Sequence, residues 1–441
     1  MFETTVTAPN PDVPSTRGLK NLRWWIAGLL ALATALNYLD RQSFPVVVVE
    51  IKKEIPISNE QYARLGSLFL LAYGIMYAGG GRIMDWLGTR LGYTIMIVWW
   101  SAANFCTGLV SSVFGFGAFR FLLGMGEGGG FPGSGKAVAE WFPPRERSLA
   151  FGIFNTGSSI GAVVAPPLLA LIVTQLNWRW VFFITGSLGF VWAVIWWKLY
   201  QPPAQNRLIT AAELNYIGSS LANVSTTPDA STSSIGSSPK IRWRDLFTYR
   251  EVLGLMGAKF LTDSAWYFFI FWLPKYLGDI RNLDIKQIGY FGWIPFAFAG
   301  LGSLTGGWLG AALIRRGITL DRSRKIALAI SASLMPVSLF IVASPLSYAI
   351  VFFSMAMFAH QFWSANIQTL PADLFPSNVV GSVEGLLGCA GSFGGMLFGL
   401  LVGYLVEHHG YGPAFLIAGV LHPIAFFLIL GTVRHIRPLS T

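Results

Sequence analysis

The sequence has few charged residues and few cysteines, and each shortage excludes a class of protein. Only 12% of the 441 residues are charged, against roughly 25% in soluble domains. A soluble chain with 53% hydrophobic residues could not cover its surface with polar groups. Cys106 and Cys389 both lie in apolar stretches, which indicates small core residues rather than a disulfide or a metal site. No GxxxxGK[ST] motif is present, so ATP-driven pumping by this chain is not expected.

Long apolar runs are abundant, and their length predicts membrane-spanning helices. The stretch 24–39 is one example, and it is embedded in a longer segment with few charges. A spanning helix needs about 20 such residues. The pattern predicts an all-α membrane protein with twelve spans, near 24–46, 61–83, 92–112, 115–137, 148–174, 180–200, 251–276, 288–313, 325–344, 347–370, 381–406 and 412–433.

The net charge of +10 follows the predicted topology. With both termini in the cytoplasm, Lys and Arg concentrate in the inner connections and tails, as the positive-inside bias requires. A nucleic-acid partner is therefore not needed to explain the basic composition.

One long polar stretch divides the chain into two halves of six spans. Its middle, NVSTTPDASTSSIGSSPK, is a low-complexity segment with a composition that cannot form a packed core. The halves share a local pattern, since EWFPPRERSLAFGIFNTGSSIG and DLFPSNVVGSVEGLLGCAGSFG align without a gap. Repeated bundles of this kind place a substrate site at the midplane between them. The predicted organisation is a cytoplasmic N-terminal tail, a bundle, a cytoplasmic linker, a second bundle and a cytoplasmic C-terminal tail, at 1–23, 24–200, 201–250, 251–433 and 434–441.

Ionisable residues at membrane depth are costly to insert and are functional candidates by default. Asp40 and Arg41 are adjacent in the first span. Because neighbouring helix positions point about 100° apart, each is expected to find its partner on another helix. Arg120 and Glu127 lie two turns apart in the fourth span, on one face, about 10 Å from each other. That separation is too long for a direct bond, but it would let a bound anion and a titrating carboxylate share one cavity.

Several motifs resemble the Major Facilitator Superfamily, and within it the anion:cation symporters, above all the bacterial hexuronate transporters. The motifs are GGRIMDWLGTRLG between spans two and three, NYLDR in span one, FRFLLGMGEGGGFPG in span four, EWFPPRERS, FNTGSSIGAVVAPP in span five and AHQ at 359–361. The repeat GGWLGAALIRRG has Ala311 where the family has an acidic residue. The resemblance implies the major facilitator fold, with two pseudo-symmetric bundles that alternately expose a central site.

The resemblance also implies roles for the charged residues. Arg41 and Arg120 would bind the substrate anion, and Asp40 and Glu127 would be the proton-coupling sites. The chemistry agrees, because a guanidinium stays charged and fits a carboxylate bidentately. A buried carboxylic acid, by contrast, can gain and lose a proton as its surroundings change. We expect a deprotonated Glu127 or Asp40 to pair with an arginine and exclude substrate.

Polar and aromatic residues near mid-span are candidates for contacts with sugar hydroxyls, and the preferred four are Tyr73, Asn155, His360 and Gln361. Lys259 and Asp263 form an i,i+4 pair that can satisfy itself on one helix face, and a role in closing the second bundle stays open. A cytoplasmic ion network is predicted to join the halves when the site faces outward, through Asp85, Arg90, Arg145, Glu146 and Arg147.

The expected function is import of a monovalent sugar acid, such as glucuronate or galacturonate, with a proton across the bacterial inner membrane. The partners are then a small organic anion, a proton and the lipid bilayer, and neither a cofactor nor an oligomer is expected. Galactonate, glucarate or an aromatic acid would suit the same charges. A membrane sensor and an intramembrane enzyme are the alternatives from other classes, but the chain offers no sizeable soluble domain and no nucleophile or metal cluster.

Overall fold

A computed structural model describes residues 19–225, 243–375 and 377–436 of the protein. The first half contains seven helices: α1 (Leu22–Glu54), α2 (Asn59–Leu87), α3 (Thr89–Thr107), α4 (Val113–Glu127), α5 (Gly130–Trp141), α6 (Pro144–Gln175) and α7 (Trp178–Leu199). Two helices belong to the connection between the halves, α8 (Ala211–Ser225) and α9 (Trp243–Leu246). The second half contains α10 (Arg250–Asp279), α11 (Ile285–Gly292), α12 (Ile294–Arg315), α13 (Leu320–Leu334), α14 (Leu346–Ile367), α15 (Leu370–Leu374), α16 (Ser377–His409) and α17 (Gly412–Thr432).

These helices form the twelve predicted spans in two bundles of six, and some spans are interrupted. The predicted span 115–137 is two helices, α4 and α5, because the chain leaves the helix at Gly128 and Gly129. Consecutive glycines favour such a break, since glycine is a poor helix former. Seven helical segments among the described residues are long and apolar enough to cross a membrane: Leu22–Glu54, Leu149–Gln175, Trp178–Leu199, Ile285–Arg315, Leu346–Leu374, Val379–His409 and Gly412–Thr432.

Each bundle is built from pairs of closely packed helices. In the first bundle α1 packs on α6, α2 on α4 and α3 on α7, while in the second α10 packs on α16 and α17, and α12 on α14. The two bundles meet where α2 packs on α16, α6 on α11 and α1 on α10. The central helices α1, α2, α10 and α16 therefore place their side chains between the bundles.

Glycines on α6 allow its close approach to α1. A Cβ atom at Gly157 would overlap the carbonyl oxygen of Ala31, and one at Gly161 would overlap that of Ala35. Small residues at such positions let membrane helices pack backbone to backbone.

We expect Gly157→Ala to lower the thermal unfolding midpoint of the detergent-purified protein by several degrees, since overpacking costs about 1–3 kcal/mol. The matched control is Gly152→Ala on the same helix, where an added Cβ meets no heavy atom within 4 Å. That control should leave the midpoint unchanged or raise it slightly, because alanine is the better helix former. Equal midpoints for the two variants would contradict the close α1–α6 contact.

The hydrogen bonds between the bundles lie near one end of the molecule in the part of the chain that the structure describes. We call the end at which α1 begins and α17 ends the terminal face, and the end that carries residues 55–58 and 410–411 the opposite face. Within the described ranges, all hydrogen bonds between the bundles join residues 52–67 to residues 271–279 and 396–407. They are Lys52 to Asp279, Asn59 to Glu407, Tyr62 to the carbonyl of Phe271, Ser67 to the carbonyl of Met396, and Lys275 to Asn59. In this conformation the opposite face is closed.

Candidate functional site

A buried ion pair joins the first and fourth spans at the centre of the first bundle. Arg41 on α1 donates from Nε and from Nη2 to Oε2 of Glu127 on α4, both at 3.0 Å. Arg41 is 2% exposed and Glu127 is 1% exposed. Nη2 also donates to the side-chain oxygen of Asn37, 3.1 Å away. The guanidinium lies against the rings of Tyr38, Tyr73 and Phe69, with distances to the ring centroids of 4.8, 4.7 and 5.4 Å.

Glycines around Glu127 allow α4 to reach this position. A Cβ at Gly126 would lie 2.6 Å from Cβ of Trp100 on α3, and one at Gly128 would lie 2.6 Å from the carbonyl oxygen of Tyr73 on α2. Only helices without side chains at these points can approach so closely. The close approach brings the Glu127 carboxylate to Arg41. Its second oxygen, Oε1, is buried and has no hydrogen-bond partner among the described residues.

Arg120 is a buried cation that has no counterion among the described residues. It is 2% exposed, and its Nε has no hydrogen-bond partner among the described residues. No described carboxylate lies within 4.0 Å of it, and its guanidinium instead lies over the rings of Phe69, Phe44 and Phe271 at 4.7, 5.6 and 6.0 Å. Such a group is costly to bury, and an anion would compensate for that cost.

A small cavity between the bundles adjoins Arg120. Its volume is about 20 Å³, which holds about one water molecule. The lining includes Tyr62 and Gly66 from α2 and Tyr267 and Phe271 from α10. The space beside Arg120 is therefore too small for a sugar acid in this conformation, in which the opposite face is closed. The bundles would have to move apart to admit one.

Asp40 points away from both arginines. It is fully buried and accepts a hydrogen bond at 2.7 Å from the amide of Asn104 on α3, which also donates to Thr185 on α7. Its Oδ2 has no partner among the described residues. The prediction that Asp40 and Arg41 each find a partner on another helix is confirmed. The expectation that Asp40 could pair with an arginine is wrong for this conformation, because the residue faces α3 and α7.

The second bundle contributes its own charges to the space between the halves. The predicted i,i+4 pair is present, with Lys259 Nζ 2.8 Å from Asp263 Oδ2. Asp263 lies against Gly391 of α16, and Gly388, about one turn earlier, lies against Tyr77 of α2, so the pair is close to the boundary between the bundles. Glu384 on α16 lies near Lys259 and Tyr77. The sequence analysis did not single out Glu384, although an ionisable residue inside an apolar span is a signal of this kind.

The four residues predicted to contact sugar hydroxyls are placed differently from one another. Tyr73 lies over Arg41 as described, Asn155 is exposed on α6, and Gln361 is half-buried on α14. His360 is turned into its own bundle: its ring stacks on Trp266 at 4.7 Å, and its Nδ1 is 3.1 Å from Nε2 of His422. Of the four, only Tyr73 touches an arginine of the site.

In this conformation the described members of the predicted ion network, which was expected when the site faces outward, have partners within the first bundle. Asp85 pairs with Lys136 of the same bundle at 2.8 Å, a partner that the sequence analysis missed. Arg90 donates to the carbonyl of Trp197, and Arg147 donates to that of Phe142. Glu146 pairs with Arg23 at 2.9 Å. The side chain of Arg145 lies outside the described residues.

Comparisons with known proteins agree with this architecture. The profile of the Major Facilitator Superfamily matches residues 30–399. The chain is 33% identical over 426 residues to the hexuronate transporter of Escherichia coli K12, with 96% of each chain covered. It is 30% identical over 441 residues to the D-galactonate transporter of Escherichia coli O6:H1, covering 96% of this chain and all of that one. A crystal structure of a bacterial homologue of the human lysosomal transporter Spinster, inward-facing and occupied, superposes with a TM-score of 0.72 at 18% identity, covering 95% and 98% of the two chains.

Proposed function

Because this chain belongs to the Major Facilitator Superfamily, we propose that it is a secondary transporter that imports a monovalent sugar acid together with a proton. Glucuronate and galacturonate are the proposed substrates, since the relatives include a hexuronate transporter and a galacturonate transporter. The superfamily and the relatives of this chain are transporters and not enzymes, so we assign the site to substrate binding, and we propose proton transfer as the coupled step.

One observation carries the proposal: Arg41 and Arg120 are both buried in the first bundle, and among the described residues Arg41 alone of the two has a counterion. Arg41 is held by Glu127, whereas Arg120 has none among the described residues. A buried unpaired guanidinium is compensated by an anionic ligand that can accept bidentate hydrogen bonds. The carboxylate of a sugar acid has this geometry.

Coupling follows from competition for Arg41. A deprotonated Glu127 occupies Nε and Nη2 of Arg41, which are the donors that a substrate carboxylate would use. Protonation of Glu127 weakens this ion pair and frees Arg41 for the substrate. Release of the proton from Glu127 on the other side of the membrane restores the ion pair and expels the substrate. We propose Asp40 as a second proton-coupling residue, which acts through Asn104 and Thr185 and not through an arginine.

We propose further residues that contact the sugar or gate the site. Tyr73 would stack against the sugar beside Arg41, and Asn155 and Gln361 would accept or donate hydrogen bonds to its hydroxyls. His360 would need to leave Trp266 and His422 to take part. Asp85, Arg90, Arg145 and Arg147 would gate the terminal face, which is cytoplasmic in the proposed topology of a monomer in the bacterial inner membrane.

Uptake of labelled glucuronate by proteoliposomes tests the proposed substrate class. An inward proton gradient should drive accumulation that excess galacturonate suppresses and that benzoate, an aromatic acid, does not. If galactonate alone suppresses the accumulation, the substrate is an aldonate and not a hexuronate. If correctly inserted protein takes up no organic acid, the proposed transport function is wrong, and a sensor becomes the better interpretation.

A reversible crosslink tests whether the opposite face must open during transport. A Cβ at Gly278 on α10 would lie 2.7 Å from Cγ2 of Val49 on α1, which places the two Cβ atoms within disulfide range. Val49→Cys with Gly278→Cys should lose at least nine-tenths of uptake under oxidation and recover it with a reductant. Each single cysteine variant is the control for the free Cys106 and Cys389. Full uptake by a completely crosslinked protein would contradict alternating access through this face.

A further inference from the structure

Glu384 is an ionisable residue of the second bundle that the coupling scheme does not use. It lies seven residues from the start of α16 and is half-buried. Among the described residues it forms no salt bridge within 4.0 Å and no hydrogen bond. A carboxylate inside a membrane span is costly to insert, so Glu384, without a partner among the described residues, is a candidate for contact with a ligand.

The cation whose charge acts on Glu384 is already paired with another carboxylate. Lys259 on α10 lies within electrostatic range of Glu384, but its ammonium is bonded to Asp263 at 2.8 Å. The second bundle therefore presents two carboxylates and one ammonium in this region, a formal charge of −1. In the first bundle, Arg41, Arg120 and Glu127 sum to +1.

Glu384 lies on the face of α16 that meets the first bundle, because residues four apart share one face of a helix. Gly388, one turn further along α16, lies directly against the ring of Tyr77 on α2, where a Cβ would overlap the ring. Tyr77 is 5.8 Å from the ring of Tyr73, and Tyr73 lies over the guanidinium of Arg41. The rings of Tyr73 and Tyr77 therefore lie between Arg41 and the turn of α16 that follows Glu384.

We propose that Glu384 selects sugar acids with one carboxylate over those with two. The substrate carboxylate is bound by the arginines of the first bundle, and the far end of the sugar then points towards the second. A hydroxyl or aldehyde there meets a carboxylate that can accept its hydrogen bonds. A second substrate carboxylate is repelled by the negative charge of Glu384, and this repulsion lowers the affinity in a low-dielectric site. This inference rests on the proposed function and adds the residue that restricts the substrate to a single carboxylate.

The competitors glucuronate and glucarate test it, because they share a carbon skeleton and differ in the second carboxylate. Exchange of labelled glucuronate into proteoliposomes loaded with unlabelled glucuronate gives an inhibition constant for each acid at pH 8. The wild type should bind glucuronate more tightly. Glu384→Gln should reduce this preference about tenfold, because it removes a negative charge that repels the second carboxylate of glucarate. The inhibition constant of glucarate should fall, and that of glucuronate should not change. Glu384→Asp keeps the charge and should keep the preference.

The control is Glu251→Gln, which removes an equal charge at the start of α10, where Glu251 lies 3.7 Å from Arg250. It should leave both constants unchanged. A preference within twofold of the wild type in Glu384→Gln overturns the inference, as does a wild type that prefers glucarate. If Glu384→Gln does not insert, Glu384→Ser supplies the neutral side chain. Failure of the wild type to exchange glucuronate is a different result, which rejects the proposed function itself.

Discussion

Arg120→Gln is expected to weaken sugar-acid binding about 100-fold and yet leave the protein at least as stable as the wild type. Loss of one partner from a buried charge pair costs about 2–5 kcal/mol, and about 2.7 kcal/mol corresponds to 100-fold. The stability should not fall, because Arg120 has no counterion among the described residues and its removal relieves a buried unpaired charge. The measurements are the substrate dissociation constant and the thermal unfolding midpoint of the purified protein.

Arg41→Gln is the informative contrast to this variant. It also removes a guanidinium, but it leaves Glu127 buried beside Asn37 without its cation. We therefore expect Arg41→Gln to lose both binding and thermal stability. Arg120→Lys, which keeps a charge without the planar fork, should bind more weakly than wild type and more tightly than Arg120→Gln. A strongly destabilised Arg120→Gln with normal binding would assign Arg120 a structural role.

Glu127→Gln is expected to abolish accumulation of substrate on a proton gradient while exchange of bound substrate continues. The neutral amide cannot release a proton, so Arg41 stays available to the substrate on both sides of the membrane. Accumulation should fall from a multiple of the outside concentration to equilibrium, a ratio of about 1. Proteoliposomes measure both quantities, with an imposed proton gradient for accumulation and preloaded unlabelled substrate for exchange.

Glu140→Gln is the matched control, since it neutralises another carboxylate of the same bundle. Glu140 accepts hydrogen bonds from Thr89 at 2.6 Å and from Tyr200, so it has no arginine to release. This variant should still accumulate substrate. Accumulation by Glu127→Gln at the wild-type level would reject the competition for Arg41.

The charged residues of the site were predictable from the sequence because they stand out against apolar helices. The sequence indicated that Asp40 and Arg41 in the first span have partners on other helices. The spacing of Arg120 and Glu127 indicated that both lie on one face of the fourth span. The identity of the partners was not predictable. Whether Glu127 reaches Arg41 depends on how closely α4 approaches α1 and α2, and that distance is set by contacts such as that of Gly128 with Tyr73 of α2.

Residues on uniformly apolar helices were harder to orient. The segment around α14 gives little periodicity, so the sequence could not show that His360 faces Trp266 and His422. The break between α4 and α5 was missed for a related reason, since glycines in a membrane span serve close packing as often as they end a helix. Lys136 was not paired with Asp85 because the two are 51 residues apart and meet only in the folded bundle.

Proton movement driven by substrate tests the coupling of sugar acid to proton most directly. Proteoliposomes with a pH-sensitive dye inside and no imposed pH gradient would receive glucuronate on the outside, with the membrane potential clamped. Competition between Glu127 and substrate for Arg41 predicts acidification of the interior by the wild type, and none by Glu127→Gln although labelled glucuronate still enters. Entry of glucuronate into wild-type vesicles without acidification would contradict proton symport.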